Sequence, residues 1–465
     1  MAKRNDIITE LILKAKEKAY KETSNEPEPE LVQKSIKWPV QCTIGPGLEG
    51  AIACESKVGY VNGSKGWLIY RGYDIFDLCA YSTYEEVSYL LLYGELPNKQ
   101  QLKEYKKTLS DFSFLPLTLR QLMNFPIEEW NTMAALRVGT NIMRQILTYR
   151  DKEIADEIRK KYSKIIGTDE DSIAMETIPM GEKRAIYEFR SKKEKLIHDK
   201  VTLDAAQSLR ACTHLIAGLP TITAAVARLR EGALPIEPDP ELSFAGNFLY
   251  MMKGRIPTPI EERIMDVALI LHADHGMNAS TFASMVVAST LSDIYFSVEA
   301  GIAALNGPLH GGANERVLYT LEEIGKPENV EPWFKKARAA KKKIMGFGHR
   351  VYKAYDPRAR ILGPLADYLC KTNPETKTLY KVATTLEKVV VKTLGKEKKI
   401  FPNVDFYSGL VYKAMGIPTE MFTPIFAVSR VSGWTARIIE YLQHNRIFRP
   451  RAIYTGEFNK KIKKR

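Results

Sequence analysis

Apolar residues recur at three- and four-residue spacing through most of this chain, and that period most restricts what it can become. The pattern runs through Glu85 to Leu92, Gln101 to Phe112, Met133 to Leu147, Ala205 to Glu231 and Glu261 to Ala273. Such spacing gives a helix one apolar face to bury. No alternation of strands with helices is visible, so a doubly wound α/β sheet is not expected. The β signal is confined to the N-terminal third. There Tyr60-Val61, the turn text Asn62-Gly63 and Trp67-Leu68-Ile69-Tyr70 read as one small hairpin, with a turn longer than two residues. The expected fold is mainly α, and 465 residues exceed one small core, so two or three domains, or one large discontinuous one, are expected.

Residues 1 to about 35 read as a charged amphipathic helix followed by an acidic, proline-containing linker, Asn25 to Glu30. Residues 150 to about 200 are crowded with charges of nearly balanced sign, which reads as an exposed insertion. From Met277 to Asn306 small and apolar residues dominate. That segment reads as a helix buried on more than one face, in a core or a subunit interface.

The formal net charge is +13, part of it in the tail Lys460, Lys461, Lys463, Lys464 and Arg465. A basic balance suits nucleic acid, an anionic membrane, a small polyanion or plain solubility, and charge alone does not choose. The five cysteines form no Cys-x-x-Cys pair, and their odd number makes a poor disulfide framework. A reducing cytoplasm fits them best. The N-terminus has no continuous apolar stretch of a secretory kind, and no apolar run approaches a membrane span.

Four of the seven histidines stand beside glycines or at helix ends. His272 and His275 lie in LHADHG. A metal site is conceivable at that spacing, but no third ligand is near and the text is not HExxH. His272 suits a core histidine bonded to a backbone carbonyl, whereas His275 could face a cleft. His310, in GPLHGGAN, stands in a tight turn between helices, where a ligand role competes with none. KKKIMGFGHR, residues 341–350, joins a basic run to a glycine loop around His349. It suits a loop meeting a nucleotide and its phosphates, or a charged helix end. It is not GxGxxG and follows no strand. Asp405, in PNVDFYSG, sits among apolar and aromatic neighbours, where desolvation would strengthen it as a base. Arg430 and Arg449 stand in apolar or turn text. Each could bind a carboxylate bidentately or serve in a structural ion pair.

Taken in order, LHADH, GPLHGGANE, GFGHRVYKAYDPRA, PNVDFYSG, FAVSRVSGW and RPRAIYTG resemble the citrate synthase family over roughly Gly45 to Gly456. The resemblance implies an all-helical two-domain fold and a homodimer. It implies a large domain over 36–311, a small domain over 312–416, and a return to the large domain over 417–465. It implies condensation of acetyl-CoA with oxaloacetate, with 2-methylcitrate synthesis from propionyl-CoA as the alternative. Acetyl-CoA would be a co-substrate, with no permanently bound cofactor and no metal. By matching position, His310 would bond the thioester oxygen, Asp405 would remove the methyl proton and His349 would polarise the ketone of oxaloacetate. His275, Arg358 and Arg430 would bind oxaloacetate, and Arg449 would reach the partner subunit's site. Lys343, Ile344, Gly346 and Gly348 would meet CoA. The 150–200 insertion has no counterpart in this pattern. Arg437 and Tyr441 depart from it near the Arg449 text, where subunit contacts could differ. A non-catalytic, basic nucleic-acid-binding protein is the distant alternative.

Overall fold

The structure, a computed structural model, describes residues 6–23, 25–26, 38–148, 209–371 and 373–457. The acidic linker beyond Glu26, the charged insertion at 150–200 and the basic tail from residue 458 lie outside the described residues.

The chain opens with helix α1, Ile7–Thr23, which buries Ile8 and Ile12. Three short antiparallel strands follow: β1 Gly59–Asn62, β2 Trp67–Tyr70 and β3 Tyr73–Asp74. Tyr60 pairs with Ile69 and Val61 with Leu68, so the expected hairpin forms. The third strand was not expected from sequence; two residues carry no period to read.

Among the described residues every further named element is a helix, and the one isolated β-bridge joins Phe347 to Pro402. Helices α2 to α6 span Ile75–Tyr81, Tyr84–Tyr93, Lys99–Ser113, Pro116–Leu122 and Thr132–Thr148. Helix α7, Leu209–Arg230, is long and apolar enough to cross a membrane by length and composition. It lies instead against α4 and α6, and every residue from Ala211 to Ala227 is buried. Helices α8, Phe244–Lys253, and α9, Pro259–His272, complete this layer. In α9, Thr258 and Glu261 form a reciprocal capping box with Pro259 at the first position, so the start is specified locally.

The small-residue stretch from Met277 to Asn306 is two helices rather than one: α10, Ala279–Ser289, and α11, Ile294–Leu305. The break falls at Leu291, whose φ of 65° no helix interior accepts. Asp293 then caps α11 by accepting from the N–H groups of Tyr295 and Phe296.

Helices α12 to α16 span Ala313–Ile324, Val330–Ala339, Pro357–Cys370, Pro374–Val390 and Val404–Ala414, and they pack largely on one another. Helix α17, Phe422–Leu442, returns to α7, α9 and α10 and is buried from Phe422 to Ile438 except at Phe426. All five cysteines are free thiols.

Candidate active site

A cleft of about 410 Å³ opens where the α11–α12 turn, the loop at 343–350 and the start of α16 meet. His310, His349 and Asp405 line it together.

His310 sits in a turn closed by bonds from the His310 and Gly311 N–H groups to the Gly307 carbonyl, both 2.9 Å. A side chain at position 311 could not fit, because its Cβ would stand 1.9 Å from the Leu305 carbonyl oxygen. The backbone N–H of Ser280 lies 3.2 Å from His310 Nε2, and the Ser280 hydroxyl 2.8 Å from it. An amide N–H can only donate, so Nε2 accepts and the proton of the neutral ring is assigned to Nδ1. Burial, with help from the Arg430 charge, pulls the His310 pKa down to about 4. The ring is therefore a neutral donor at ordinary pH.

His349 carries the mirror arrangement. Its Nδ1 accepts from the N–H groups of Val351 and Tyr352 at 3.1 and 3.2 Å, which assigns the proton to Nε2. Its pKa is also lowered to about 4, first by burial; the Asp356 carboxylate opposes this and Arg358 adds to it.

Asp405 stands in the first turn of α16, below the cap Asn403, whose side chain accepts from the Asp405 N–H at 3.1 Å. The carboxylate is half-buried. Desolvation pushes its pKa up to about 6, against the pull of Arg358, Arg430 and Arg316 and with a push from Asp356. A carboxylate near neutrality is a stronger base than one in water, and it is still largely ionised at pH 7.

Behind these groups lies a buried cationic floor. His275 Nε2 is 3.2 Å from the Tyr352 hydroxyl, and its ring meets that of His349 edge-on at 5.0 Å. Arg358 holds Asp356 in a fork, Nε to Oδ1 at 3.0 Å and Nη2 to Oδ2 at 2.7 Å. Asp356 also accepts from the Val404 N–H at 3.2 Å, so one carboxylate ties Arg358 to the helix start that carries Asp405. Arg430 donates from Nε to the His272 carbonyl at 2.5 Å and lies over the Phe426 ring. No carboxylate forms an ion pair with it among the described residues. Burial lowers its pKa to about 10. A buried guanidinium without a counter-charge is costly unless an anion arrives.

The remaining sequence-derived residues fall in three places. Lys343, Gly346 and Gly348 line the cleft. A Cβ at Gly346 would stand 2.7 Å from Val317 Cγ2, at a φ of 78°. Yet the Gly348 N–H donates to the Phe401 carbonyl and the Gly346 carbonyl accepts from Asn403, each at 2.8 Å. Those backbone groups pair within the chain, so they offer a ligand surface rather than these hydrogen bonds. Ile344 is half-buried and packs against the core. Arg449 is exposed and does not line this cleft. His272 is a core histidine whose Nδ1 bonds the Ala268 carbonyl at 2.6 Å. No group of three potential metal ligands occurs among the described residues.

Four contributors carried no assigned role in the sequence reading. Ser280 sets the His310 tautomer, and Tyr352 bridges the two neighbouring histidines. Arg316 lines the cleft. Asp356 was legible as Asp-Pro-Arg, a cap followed by proline at the first helical position.

Frame and cleft together define a helical enzyme with two neutral imidazoles and a carboxylate of raised pKa around one cavity, a set suited to proton transfer. The description "Citrate synthase, C-terminal domain" fits residues 47–451. The citrate synthase of Synechocystis is 40% identical over 414 residues, covering 89% of this chain and 91% of its own. A citrate/2-methylcitrate synthase of Bacillus subtilis is 34% identical, covering 88% and 96%. The citrate synthase of Thermoplasma acidophilum, solved as a ternary complex with carboxymethyl coenzyme A and oxaloacetate, superposes with a TM-score of 0.74 at 34% identity, covering 91% of this chain and 98% of its own. The chain belongs to the citrate synthase family.

Proposed function

We propose that this enzyme condenses acetyl-CoA with oxaloacetate and hydrolyses the product thioester to citrate and CoA. The observation that carries the reading is the pairing of two neutral imidazoles, of opposite tautomer, with one carboxylate of raised pKa around a single cleft.

Asp405 takes a proton from the thioester methyl. That carbon is a very weak acid, so charge must be stabilised where it develops. The Nδ1–H of His310 donates to the thioester oxygen as it becomes an enolate oxygen. A neutral ring suits the task, because it donates without giving the proton away. The Nε2–H of His349 donates to the ketone oxygen of oxaloacetate, making its carbon a better electrophile. The enolate carbon attacks that carbon, and the ketone becomes an alkoxide that takes up a proton. Water then cleaves the thioester, releasing CoA. Arg358, Arg430 and His275 hold the carboxylates of oxaloacetate in line; Arg358 keeps N–H groups beyond those Asp356 engages.

The same reading divides the chain into a large domain at 36–311, a small domain at 312–416 and a return at 417–465. Mutual packing of the helices between Ala313 and Ala414 supports it. It makes the protein a cytoplasmic homodimer in which Arg449 completes the partner's site, with Lys343 and the loop through Ile344, Gly346 and Gly348 beside CoA. Acetyl-CoA is a co-substrate, and the reading includes no resident cofactor, metal, nucleic acid or membrane. Propionyl-CoA is not favoured as the acyl donor. One methylene changes pocket fit by about 1–3 kcal/mol, so kcat/KM for the two thioesters separates them. The direct test is release of free CoA thiol from acetyl-CoA and oxaloacetate. No release across several pH and salt conditions overturns the proposal.

A further inference from the structure

We infer that Arg316 is a positioning residue for the condensation: it clamps the turn carrying His310 and presents a fixed positive charge to the cleft beside Asp405. The inference rests on the synthase reading and goes beyond it.

The location is locally unfavourable. Arg316 is the fourth residue of α12, where the helix dipole presents positive charge and disfavours a cation. The preceding cap, Gly312, has no side chain to accept from the helix start. Among the described residues no carboxylate forms an ion pair with Arg316, and the neighbouring Glu315 accepts instead from the Thr423 hydroxyl at 3.0 Å. A helix-stabilising role does not explain the residue.

Its hydrogen bonds do. The side chain folds back over the turn: Nε donates to the Gly312 carbonyl at 3.3 Å, and Nη2 to the carbonyls of Gly311, at 3.4 Å, and Pro308. These three residues bracket His310 on both sides. The guanidinium is a rigid planar fork with five donors, so one side chain can bond several carbonyls at once. The turn also contains Gly307, Gly311 and Gly312, which alone would leave it loose. On the far side, Ser280 fixes the ring through Nε2. Clamp and ring anchor together fix the direction of Nδ1–H.

Arg316 also lines the same cavity as Asp405. The charged groups acting on Asp405 are Arg358 and Asp356 at the start of α14, Arg430 of α17 and Arg316 of α12, with the neutral His310 and His349 across the cleft. Arg316 lies on the cleft wall, not behind it.

The test uses the full-length enzyme with R316A and R316K. In R316A, kcat falls roughly tenfold, since a displaced donor acts mainly on the chemical step, and KM for oxaloacetate stays near wild type. The acid limb of kcat moves to higher pH, because a positive charge near the base is gone. In R316K the charge remains, so the acid limb stays in place. Yet kcat still falls, because an ammonium cannot span three carbonyls. Nitrogen NMR of the His310 ring, assigned with H310Q, gives a readout free of turnover: a single Nδ1–H tautomer in wild type and averaged signals in R316A. Wild-type kcat in R316K, or an unmoved acid limb in R316A, overturns the inference. If R316A does not fold, R316K carries the clamp alone, and unchanged ring signals there overturn it. A wild type that releases no thiol overturns the synthase reading, while the His310 signals still decide the clamp.

Discussion

Arg437 donates from Nε and Nη2 to the two carboxylate oxygens of Asp274, at 2.7 and 2.8 Å, and both side chains are buried. Asp274 also accepts from the Gly276 N–H at 3.1 Å, so the pair fixes the turn on which His275 stands. Burial pushes the Asp274 carboxyl up, but the Arg437 guanidinium holds it below its usual range. In the sequence Arg437 suggested altered subunit contacts; the structure turns it inward.

Removing one partner of such a pair leaves the other charge buried and alone. Arg437→Ala is expected to lower unfolding stability by about 3–5 kcal/mol. It should also weaken oxaloacetate binding through His275. Denaturant titration measures the first effect and calorimetry the second. A loss under about 1 kcal/mol, as for a surface pair, would show that the charge finds water.

Asp405→Asn keeps shape and hydrogen bonding but removes the base. Its kcat should fall about 10²–10⁴-fold, the usual range for a general base. Oxaloacetate should still bind, since Arg358, Arg430 and His275 are untouched. In the wild type the base works deprotonated, and its pKa is raised to about 6. Activity should therefore decline as pH drops through about 6 and level off above it. Full turnover in the variant would remove Asp405 from the mechanism.

How far the sequence reaches is clearest from residues that succeed and fail side by side. Helices α3, α4 and α9 begin within two residues of their periodic text, because one buried face dictates the pattern. The break between α10 and α11 was hidden, since small and apolar residues lie on both sides of it and only the short, mostly polar run Ser289 to Asp293 signals a new cap. His310, His349 and Asp405 stand out through glycines and a proline-bounded turn. Their tautomers do not, because Ser280, Val351 and Tyr352 supply backbone N–H groups that every residue type but proline carries. Arg316 and Arg437 illustrate the same limit: an arginine's partner is a matter of tertiary distance, which local text does not encode.

Acid should destabilise the fold through its core histidines. His214 bonds the Tyr295 hydroxyl at 2.7 Å, and burial, then Arg210, lowers its pKa to about 4. His272 is lowered to about 3, first by burial. The unfolded chain binds these protons near pH 6.5 and the native state refuses them. Stability is therefore complete above about pH 6.5 and is lost as pH falls toward 4. Each unmatched proton contributes about 1.4 kcal/mol per pH unit. Asp405 and Glu299, raised to about 6 and about 7 mainly by burial, act the other way and soften the slope. Urea midpoints from pH 7.5 to 4.5 read the balance, and His272→Gln should flatten the curve by about one proton. An unchanged slope would mean that His272 is not held neutral.

The proposed division of one site between two subunits makes the strongest demand. Arg449 is exposed in its own subunit, next to Phe448, which stacks on Tyr441 at 5.0 Å and meets Phe282 edge-on at 5.5 Å. The half-exposed side chains of Phe282, Val286 and Val287 on α10 form an apolar face beside it, where a second copy could bring Arg449 to the other cleft. Arg449→Ala and Asp405→Asn should each be nearly inactive alone. In a hybrid dimer one site carries both lesions and the other carries none. Co-expression with separate tags and tandem purification isolates that hybrid. Each hybrid should show about half the wild-type kcat, and an unsorted equal mixture roughly a quarter. Activity no greater than the mean of the two parents would show that each subunit's Arg449 serves its own cleft or none.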